Sequence, residues 1–237
     1  MLKPNLSELL ATSPAFANMT LEEVEQIVSR GRLVEVEKER PIFDQGMEAV
    51  SFFLLVDGYV RVVKTLPDGQ QVIVRYFPSG ELIGIAPALK VDRYPASAIA
   101  AIDCVALAWP SRIWPEIIQS SPAFLANVLQ AVGARLQESQ DRLVEIATQR
   151  AEQRVALALL SMGEKVGKPM DAGFAIDFPL SRQDIAEMTA TTLHTVSRLM
   201  AGWERQGLVR LGRQKVVVLS RQKLARLASH PEGASLH

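Results

Sequence analysis

The sequence of 237 residues predicts an α+β protein with an N-terminal β jelly-roll, one long helix and a C-terminal helical domain that carries a β-hairpin wing. Three observations support this fold class. Short β-prone runs alternate with glycine turns, a leucine-rich helical pattern follows them, and two short amphipathic helices joined by a tight turn come later. The predicted parts are residues 1–120, 121–149 and 150–237.

Two short helices are expected before the first strand. Leu6, Leu9 and Leu10 mark the first of them. Thr20 is suited to cap the second, because Glu23 stands at the third helical position, as in a capping box.

The β-region is predicted from short runs of β-branched and aromatic residues, separated by glycine turns about every 8–12 residues. In the turn Pro67-Asp68-Gly69, proline presets φ and glycine accepts a positive φ. Such spacing is typical of an antiparallel sandwich or barrel of jelly-roll type. The predicted strands lie within residues 33–36, 52–56, 59–63, 72–77 and 99–108.

A long helix is predicted to begin at Ser121-Pro122 and to end near Gln149. Seven of its residues follow one another in alternating steps of four and three, which is the heptad pattern of a coiled coil. Burial under the sandwich of the same chain is the alternative, but the regular stepping and the polar Ser139 favour a parallel homodimer. This seam consists of Leu125, Leu129, Val132, Leu136, Ser139, Leu143 and Ile146.

The two-helix stretch begins at Ser181, which is a suitable N-cap with Asp184 three residues on. Its turn is Thr189-Ala190-Thr191, and the second helix starts near Thr192. We expect the apolar side of this second helix to be buried; it consists of Leu193, Val196, Leu199, Met200 and Trp203. The flanking elements are a helix over 151–165, a loop over 167–173, a strand over 174–178, a β-hairpin wing over 208–219, a helix over 220–228 and a fraying tail at 231–233.

The other side of the second helix presents His194, Thr195, Ser197 and Arg198 instead of the Glu–Lys pairs of an ordinary surface helix. Short donors reach phosphates and base edges, and a guanidinium matches the O6 and N7 acceptors of guanine. The spacing is typical of a DNA-binding helix-turn-helix, whose second helix enters the major groove. An ordinary helical hairpin is the alternative.

The net charge of zero conceals a division between the two ends of the chain. Residues 1–149 hold 13 Lys and Arg against 18 Asp and Glu, a net charge of −5, whereas residues 150–237 hold 13 against 8, a net charge of +5. Within residues 198–226 there are eight bases and one acid, Glu204. A polyanion is therefore attracted to the C-terminal domain, which favours the DNA-binding interpretation over a plain helical hairpin.

The sequence argues against an enzyme. All three histidines lie at or after His194, so the sandwich lacks the His clusters of metal-dependent jelly-roll enzymes and any Ser–His or Cys–His pair. The single cysteine, Cys104, cannot hold an iron–sulfur cluster, which needs about four ligands. No signal peptide and no membrane span are apparent, so we expect a cytoplasmic protein without a membrane partner.

Over nearly its whole length, the sequence resembles the Crp/Fnr superfamily of bacterial transcription regulators. The resemblance rests on DQG at 44–46, LVDGYVRV at 55–62, GELIG at 80–84, SRQDIA at 181–186, TVSRL at 195–199 and WERQGLV at 203–209. It implies a sensor like a cyclic-nucleotide-binding domain, a dimerisation helix and a winged helix-turn-helix.

The resemblance also implies an effector pocket in the sensor. In the cyclic-AMP receptor branch a Glu holds the ribose hydroxyl and an Arg pairs with the cyclic phosphate, but Ile85 and Pro95 stand at those positions here. Arg93 is the alternative phosphate partner. We therefore expect weak or no cyclic-AMP binding. The expected pocket residues are Gly84, Ile85, Arg93, Tyr94 and Ser97.

Residues 94–98 and 192–198 look most like the Nnr/Dnr branch, which responds to nitric oxide through haem and controls denitrification genes. The Fnr-type N-terminal cysteine cluster is missing. Because the sensor has no histidine, haem would need Met, Tyr, Cys104 or an unusual ligand. The expected effector is thus a small molecule other than cyclic AMP, with nitric oxide through haem as the candidate. A ligand-free, degenerate sensor used only for dimerisation is the alternative.

For DNA, the resemblance implies that Ser197 and Arg198 read the T and G of TTG-type half-sites. His194 stands where the branch carries Glu, so the base it reads is open. A homodimer on a palindromic operator, with RNA polymerase as a further partner, is expected, and the switch is expected to run through the seam and residues 145–154. The expected phosphate contacts are Ser181, Arg182, Thr192, Thr195, Arg213 and Lys215.

Overall fold

The computed structural model describes residues 3–176 and 178–229, with the backbone alone for residues 3–5. The chain forms two compact units. Met1–Gln70 and Val74–Glu138 make the first, and Gln71–Ile73 with Ser139–His237 make the second. Among the helices of the described residues, none has the length and apolar character that a membrane crossing needs.

Two helices precede the sandwich, as predicted. They are α1 (Lys3–Ala11) and α2 (Leu21–Val28). The predicted capping box is confirmed: the backbone N–H of Glu23 donates to Thr20 Oγ1 at 3.3 Å, and the N–H of Thr20 donates to Glu23 Oε2 at 2.7 Å. The box satisfies N–H groups that the first turn of α2 leaves without a helical partner.

The jelly-roll prediction is confirmed by a sandwich of two four-stranded sheets. Its strands are β1 (Arg32–Val36), β2 (Pro41–Phe43), β3 (Ser51–Asp57), β4 (Tyr59–Thr65), β5 (Gln71–Pro78), β6 (Leu82–Ile83), β7 (Ser97–Ala100) and β8 (Cys104–Pro110). The strand orders are β1-β8-β3-β6 and β2-β7-β4-β5. The predicted turn between β4 and β5 is also present, with Gly69 at φ +84° and its N–H donating to Leu66 O at 2.9 Å.

The prediction of one strand over 99–108 is wrong. The chain breaks at residues 101–103, so β7 and β8 lie in different sheets. At the break, the Ala101 N–H donates to Tyr59 O at 2.8 Å, and Asp103 Oδ1 accepts the Lys38 N–H at 2.8 Å. These bonds to other segments turn the chain away from a continuous strand. The short strands β2 and β6 were not predicted.

An aromatic cluster fixes the start of the long helix in the first unit. The helix is α4 (Pro122–Thr148), and it follows α3 (Trp114–Ser120), so the prediction of a helix from Ser121-Pro122 is confirmed. Phe52 stacks on Trp109 with ring centroids 5.2 Å apart. Phe124, in the first turn of α4, lies 6.1 Å from the Trp114 ring. The burial of these large rings anchors the helix to the sandwich.

Besides the end of α4, the second unit has four helices and one four-stranded sheet within the described residues. The helices are α5 (Ala151–Val166), α6 (Arg182–Met188), α7 (Leu193–Arg205) and α8 (Arg221–Ser229). The strands are β9 (Gly167–Pro169), β10 (Phe174–Ile176), β11 (Val209–Gly212) and β12 (Lys215–Val218), in the order β11-β12-β10-β9.

The predicted loop over 167–173 is wrong at its start. Residues 167–169 form β9, which pairs with β10 so that Gly167 faces Ile176 and Pro169 faces Phe174. A Gly-Lys-Pro segment has little β propensity, and its pairing with β10 makes it a strand. The predicted helices over 151–165 and 220–228 and the wing are confirmed. The tail at 231–233 lies outside the described residues.

Candidate nucleic-acid interface and effector site

The predicted cap of the first helix of the helix-turn-helix is present, and Thr192 caps the second helix. Ser181 Oγ accepts the Asp184 N–H at 3.0 Å, and Asp184 Oδ2 accepts the Ser181 N–H at 2.7 Å. At the start of α7, Thr192 Oγ1 accepts the Thr195 N–H at 3.1 Å and lies 2.9 Å from Thr195 Oγ1. One of the two threonine hydroxyls donates to the other, so one hydroxyl hydrogen of this pair remains for a phosphate.

The turn between α6 and α7 is held in a conformation that alanine rarely adopts. Ala190 has φ +48°, in the left-handed region. The buried Thr189 hydroxyl donates to Ile185 O at 2.7 Å, and the Thr191 N–H donates to Ala186 O at 3.1 Å. A left-handed non-glycine residue costs about 1–2 kcal/mol, so its surroundings must stabilise it.

Helix α7 has one side buried in the domain and the other side facing the solvent. Val196, Met200 and Trp203 are buried. His194 and Arg198 are exposed and Ser197 is half-buried, within about one helical turn of one another. Three side chains with this placement are suited to base edges in a major groove.

The prediction that Leu193 is buried is wrong. It is 48% exposed, because it occupies the first helical position, before the packed face begins. There it lines a cavity of about 380 Å³ between α6, α7 and the wing. Leu211 and Val216 of the wing line the same cavity.

Hydrogen bonds attach the wing to the segment just before α6 and to α7. Its two-residue tip joins Gly212 to Lys215, and Gln214 in this tip has φ +55°. The Gln214 carbonyl accepts a hydrogen bond from the Leu180 N–H at 2.9 Å. The Leu211 N–H donates to Glu204 Oε1 at 2.8 Å, near the end of α7. These bonds hold the wing beside the start of α6. The predicted phosphate contacts Ser181, Arg182 and Lys215 accordingly line one cavity, and Arg213 is exposed at the tip.

In the sensor, three aromatic rings surround Gly84. Phe43 stacks on Tyr94 with ring centroids 3.9 Å apart, and Phe53 stacks on Phe43 at 5.8 Å. A Cβ at Gly84 would lie 3.0 Å from Phe43 and 3.3 Å from both Phe53 and Tyr94. Gly84 also has φ +65°, so both the space and the backbone conformation favour glycine here. The predicted pocket is therefore packed with aromatic side chains.

The polar groups of the predicted pocket are bonded to their neighbours. The Tyr94 hydroxyl donates to Ser51 O at 2.7 Å, and burial raises its pKa. Ser97 Oγ accepts the Gln45 N–H at 2.9 Å, and Arg93 Nη1 donates to Gly46 O at 2.6 Å. Ile85 is buried. The structure thus brings Gly84 and Tyr94 together in the aromatic cluster, links Arg93 and Ser97 to residues 45 and 46, and places Ile85 in a separate part of the core.

Two of the candidate haem ligands, Cys104 and Tyr94, do not suit the binding of iron. Cys104 Sγ is buried and lies 3.1 Å from Ile102 O and 3.4 Å from Tyr59 O. Burial raises the pKa of the thiol, which disfavours the thiolate that would bind iron. The Tyr94 hydroxyl is bonded to Ser51. Among the described residues, no group of three His, Cys, Asp or Glu could hold a metal ion.

A charged cluster of the first unit was not predicted. Arg75 Nη2 bonds both oxygens of Glu81 at 3.1 Å, and Arg75 Nη1 lies 3.1 Å from Glu138 Oε2. Arg135 of α4 lies 3.6 Å from Glu81 Oε2 and donates to Leu82 O, and burial lowers its pKa. The Phe77 ring lies under both guanidiniums, at 4.9 and 4.8 Å. The residues are too far apart in sequence for any local pattern to reveal this link between β5, β6 and α4.

Comparisons with known proteins agree with both halves of the chain. Residues 33–121 match the model of the cyclic nucleotide-binding domain, and residues 153–227 match that of the Crp-like helix-turn-helix domain. The nitrogen fixation regulation protein FixK of Bradyrhizobium diazoefficiens is 26% identical over 93% of this chain and 92% of its own. The cyclic AMP receptor protein of Thermus thermophilus is 29% identical over 91% of this chain and 97% of its own.

Solved structures share this fold. FixK2 from Bradyrhizobium japonicum agrees in fold with a TM-score of 0.74 at 23% identity, covering 85% of this chain and 98% of its own. A CRP-family transcriptional regulator from Thermus thermophilus matches with a TM-score of 0.71 at 25% identity, covering 85% of this chain and all of its own. The two domain models in this order on one chain, and the relatives that span nearly all of it, are those of a Crp/Fnr-type DNA-binding transcription regulator and not of an enzyme.

Proposed function

We propose that the chain acts as a parallel homodimer that reads a palindromic operator. The observation that carries this proposal is a row of exposed leucines on α4. Leu129, Leu136 and Leu143 are 61%, 60% and 67% exposed in the single chain. Soluble proteins rarely leave such a row in water, and its heptad spacing suits the same row on a second copy. The alternative of burial under the sandwich suits only Leu125 and Val132, which are half-buried.

In such a dimer each copy supplies His194, Ser197 and Arg198 to one half-site. Two recognition helices about 34 Å apart would enter successive major grooves on one face of the duplex. On a promoter, RNA polymerase would be the partner of the bound dimer.

Selection from a random pool of DNA duplexes with the purified protein tests this function. The expected result is a palindrome of two TTG-type half-sites, separated by about one helical turn or a multiple of it. Enrichment of single, unpaired half-sites would contradict the homodimer. An absence of any enriched sequence would contradict base reading.

For the sensor, the packed centre favours the ligand-free alternative over an effector bound at the predicted pocket. Phe43 and Tyr94 occupy the space beside Gly84, and Ser97 and Arg93 are bonded to the backbone of neighbouring residues. An effector there would have to displace stacked rings and replace several hydrogen bonds. Operator binding is therefore expected to be indifferent to added effectors.

We predict that the protein does not bind cyclic AMP at micromolar concentrations. Ile85 cannot accept a ribose hydroxyl, and Pro95 offers no cation to the phosphate. Isothermal titration with cyclic AMP should show no saturable heat, while the cyclic AMP receptor protein of Thermus thermophilus serves as the reference in the same buffer. A micromolar or tighter dissociation constant would overturn this prediction.

Haem addition tests the nitric-oxide branch directly. An absorption spectrum of the protein with haem should lack a shifted Soret band, because two of the candidate iron ligands, Tyr94 and Cys104, are buried and bonded to backbone carbonyls. Nitric oxide should then leave operator binding unchanged. A shifted Soret band that responds to nitric oxide, together with altered operator binding, would instead support the Nnr/Dnr-type function on denitrification genes.

A further inference from the structure

Three consecutive side chains in the first turn of α5 contact α7, α8 and the turn that follows α6. Glu152 Oε1 accepts the indole N–H of Trp203, in α7, at 3.1 Å. Gln153 Nε2 donates to the carbonyl of Ala228, in α8, at 3.5 Å. Arg154 donates to the turn between α6 and α7. Only two residues separate this turn of helix from the end of α4, so it lies where the dimerisation helix joins the reading domain.

Arg154 makes the most extensive of these contacts. Its Nε donates to Thr189 O at 2.9 Å, and its Nη2 donates to Ala190 O at 3.2 Å. Its Nη1 donates to Gln149 O at 2.7 Å. Gln149 follows the last residue of α4, and Thr189 follows the last residue of α6. One planar guanidinium therefore bonds the residues that end two helices.

The site between these three carbonyls suits the cationic side chain of Arg154 for two reasons. The last carbonyls of a helix lack helical partners and carry partial negative charge, so a guanidinium satisfies and stabilises them. The turn also contains Ala190 in the left-handed region, where a non-glycine residue needs support from its surroundings. The rigid fork of Arg fixes the three acceptors relative to one another, which the flexible ammonium of Lys cannot do equally well.

We infer that Arg154 is a positioning residue for operator reading, in addition to the residues that touch DNA. It fixes the turn before the recognition helix against the end of α4. In the homodimer this contact sets the separation and rotation of the two recognition helices. The inference rests on the proposed homodimer, because a single reading domain has no separation to set.

Half-site spacing gives a readout that loss of stability alone would not change. Inserting or deleting one base pair between the half-sites moves them by about 3.4 Å and rotates them. Wild-type protein should lose about tenfold or more in affinity on either altered operator, the equivalent of about 1.4 kcal/mol. The Arg154→Gln variant should bind the original operator about tenfold more weakly, the scale of one charge-assisted hydrogen bond, and should distinguish the three spacings by less than about threefold.

Two further variants control for charge and for folding. Lys165→Gln removes a positive charge from the far end of the same helix, and it should keep the wild-type affinity and spacing preference. Arg154→Lys keeps the charge without the fork, so it should fall between wild type and Arg154→Gln. Thermal unfolding of each variant shows that the compared proteins are folded at the binding temperature.

The outcomes separate this inference from the proposed function. Arg154→Gln with an equal loss at all three spacings, or with the wild-type spacing preference retained, would overturn the inference while leaving the homodimer intact. Wild-type protein that binds single half-sites as well as palindromes would overturn the homodimer, and the inference with it.

Discussion

Replacement of Leu136 by Glu should convert the protein to a monomer and weaken its binding to a palindromic operator by about a thousandfold, or roughly 4 kcal/mol. Leu136 is 60% exposed in the single chain and lies in the middle of the seam. In a parallel dimer each substitution acts twice, because residue 136 of one copy faces residue 136 of the other. Two leucines leave the interface, and two carboxylates that lack a partner face each other there.

Sedimentation velocity measures whether the variant is a monomer or a dimer, and titration of the operator by fluorescence anisotropy measures its affinity for DNA. Ala134→Glu is the matched control, since it adds the same charge to an exposed position of α4 outside the seam. The control should remain dimeric and bind the operator normally. A Leu136→Glu protein that stays dimeric, or a monomer that still prefers palindromes, would refute the role of the seam.

Replacement of Arg198 by Ala should cost about 1–3 kcal/mol on the selected operator and relax specificity at one base pair of each half-site. Arg198 is exposed, one turn along α7 from His194. A guanidinium bonded to a guanine edge contributes to binding only when that base is present, so its loss should remove the discrimination there. Competition binding against operators with each base pair at each position measures the change.

Arg213→Ala provides the contrast for a phosphate contact. Arg213 lies at the exposed wing tip, and its loss should weaken all sequences about equally and lower the salt dependence by about one counterion. If Arg198→Ala gives this uniform pattern instead, Arg198 contacts the backbone and does not read a base.

The elements that the sequence predicted correctly carry their signals locally. The capping boxes of Thr20 with Glu23 and of Ser181 with Asp184 each span one helical turn, and the turn at Gly69 is complete within a few residues. The break between β7 and β8 was missed because it depends on Lys38 and Tyr59, which lie in other segments. Strand β9 was missed for the same reason, since its partner defines it.

The two candidate sites differ in the same way. His194, Ser197 and Arg198 share one helix, so the helical period alone places them together. The sensor residues were located by their order in a motif, but the sequence order gave no indication that Phe43 stacks on Tyr94 beside Gly84. The contacts of Arg154 also join separate segments. The sequence does not distinguish an arginine that bonds two helix ends from an arginine that faces the solvent.

The strand order of the sandwich has a consequence for its synthesis. In the first sheet β8 lies between β1 and β3, and in the second sheet β7 lies between β2 and β4. One inner strand of each sheet, β8 in the first and β7 in the second, is thus among the last two strands of the sandwich to leave the ribosome. Until they emerge, the earlier strands have unpaired edges that invite pairing with other chains. A chain truncated before Ser97 should therefore aggregate, even though it contains six of the eight strands.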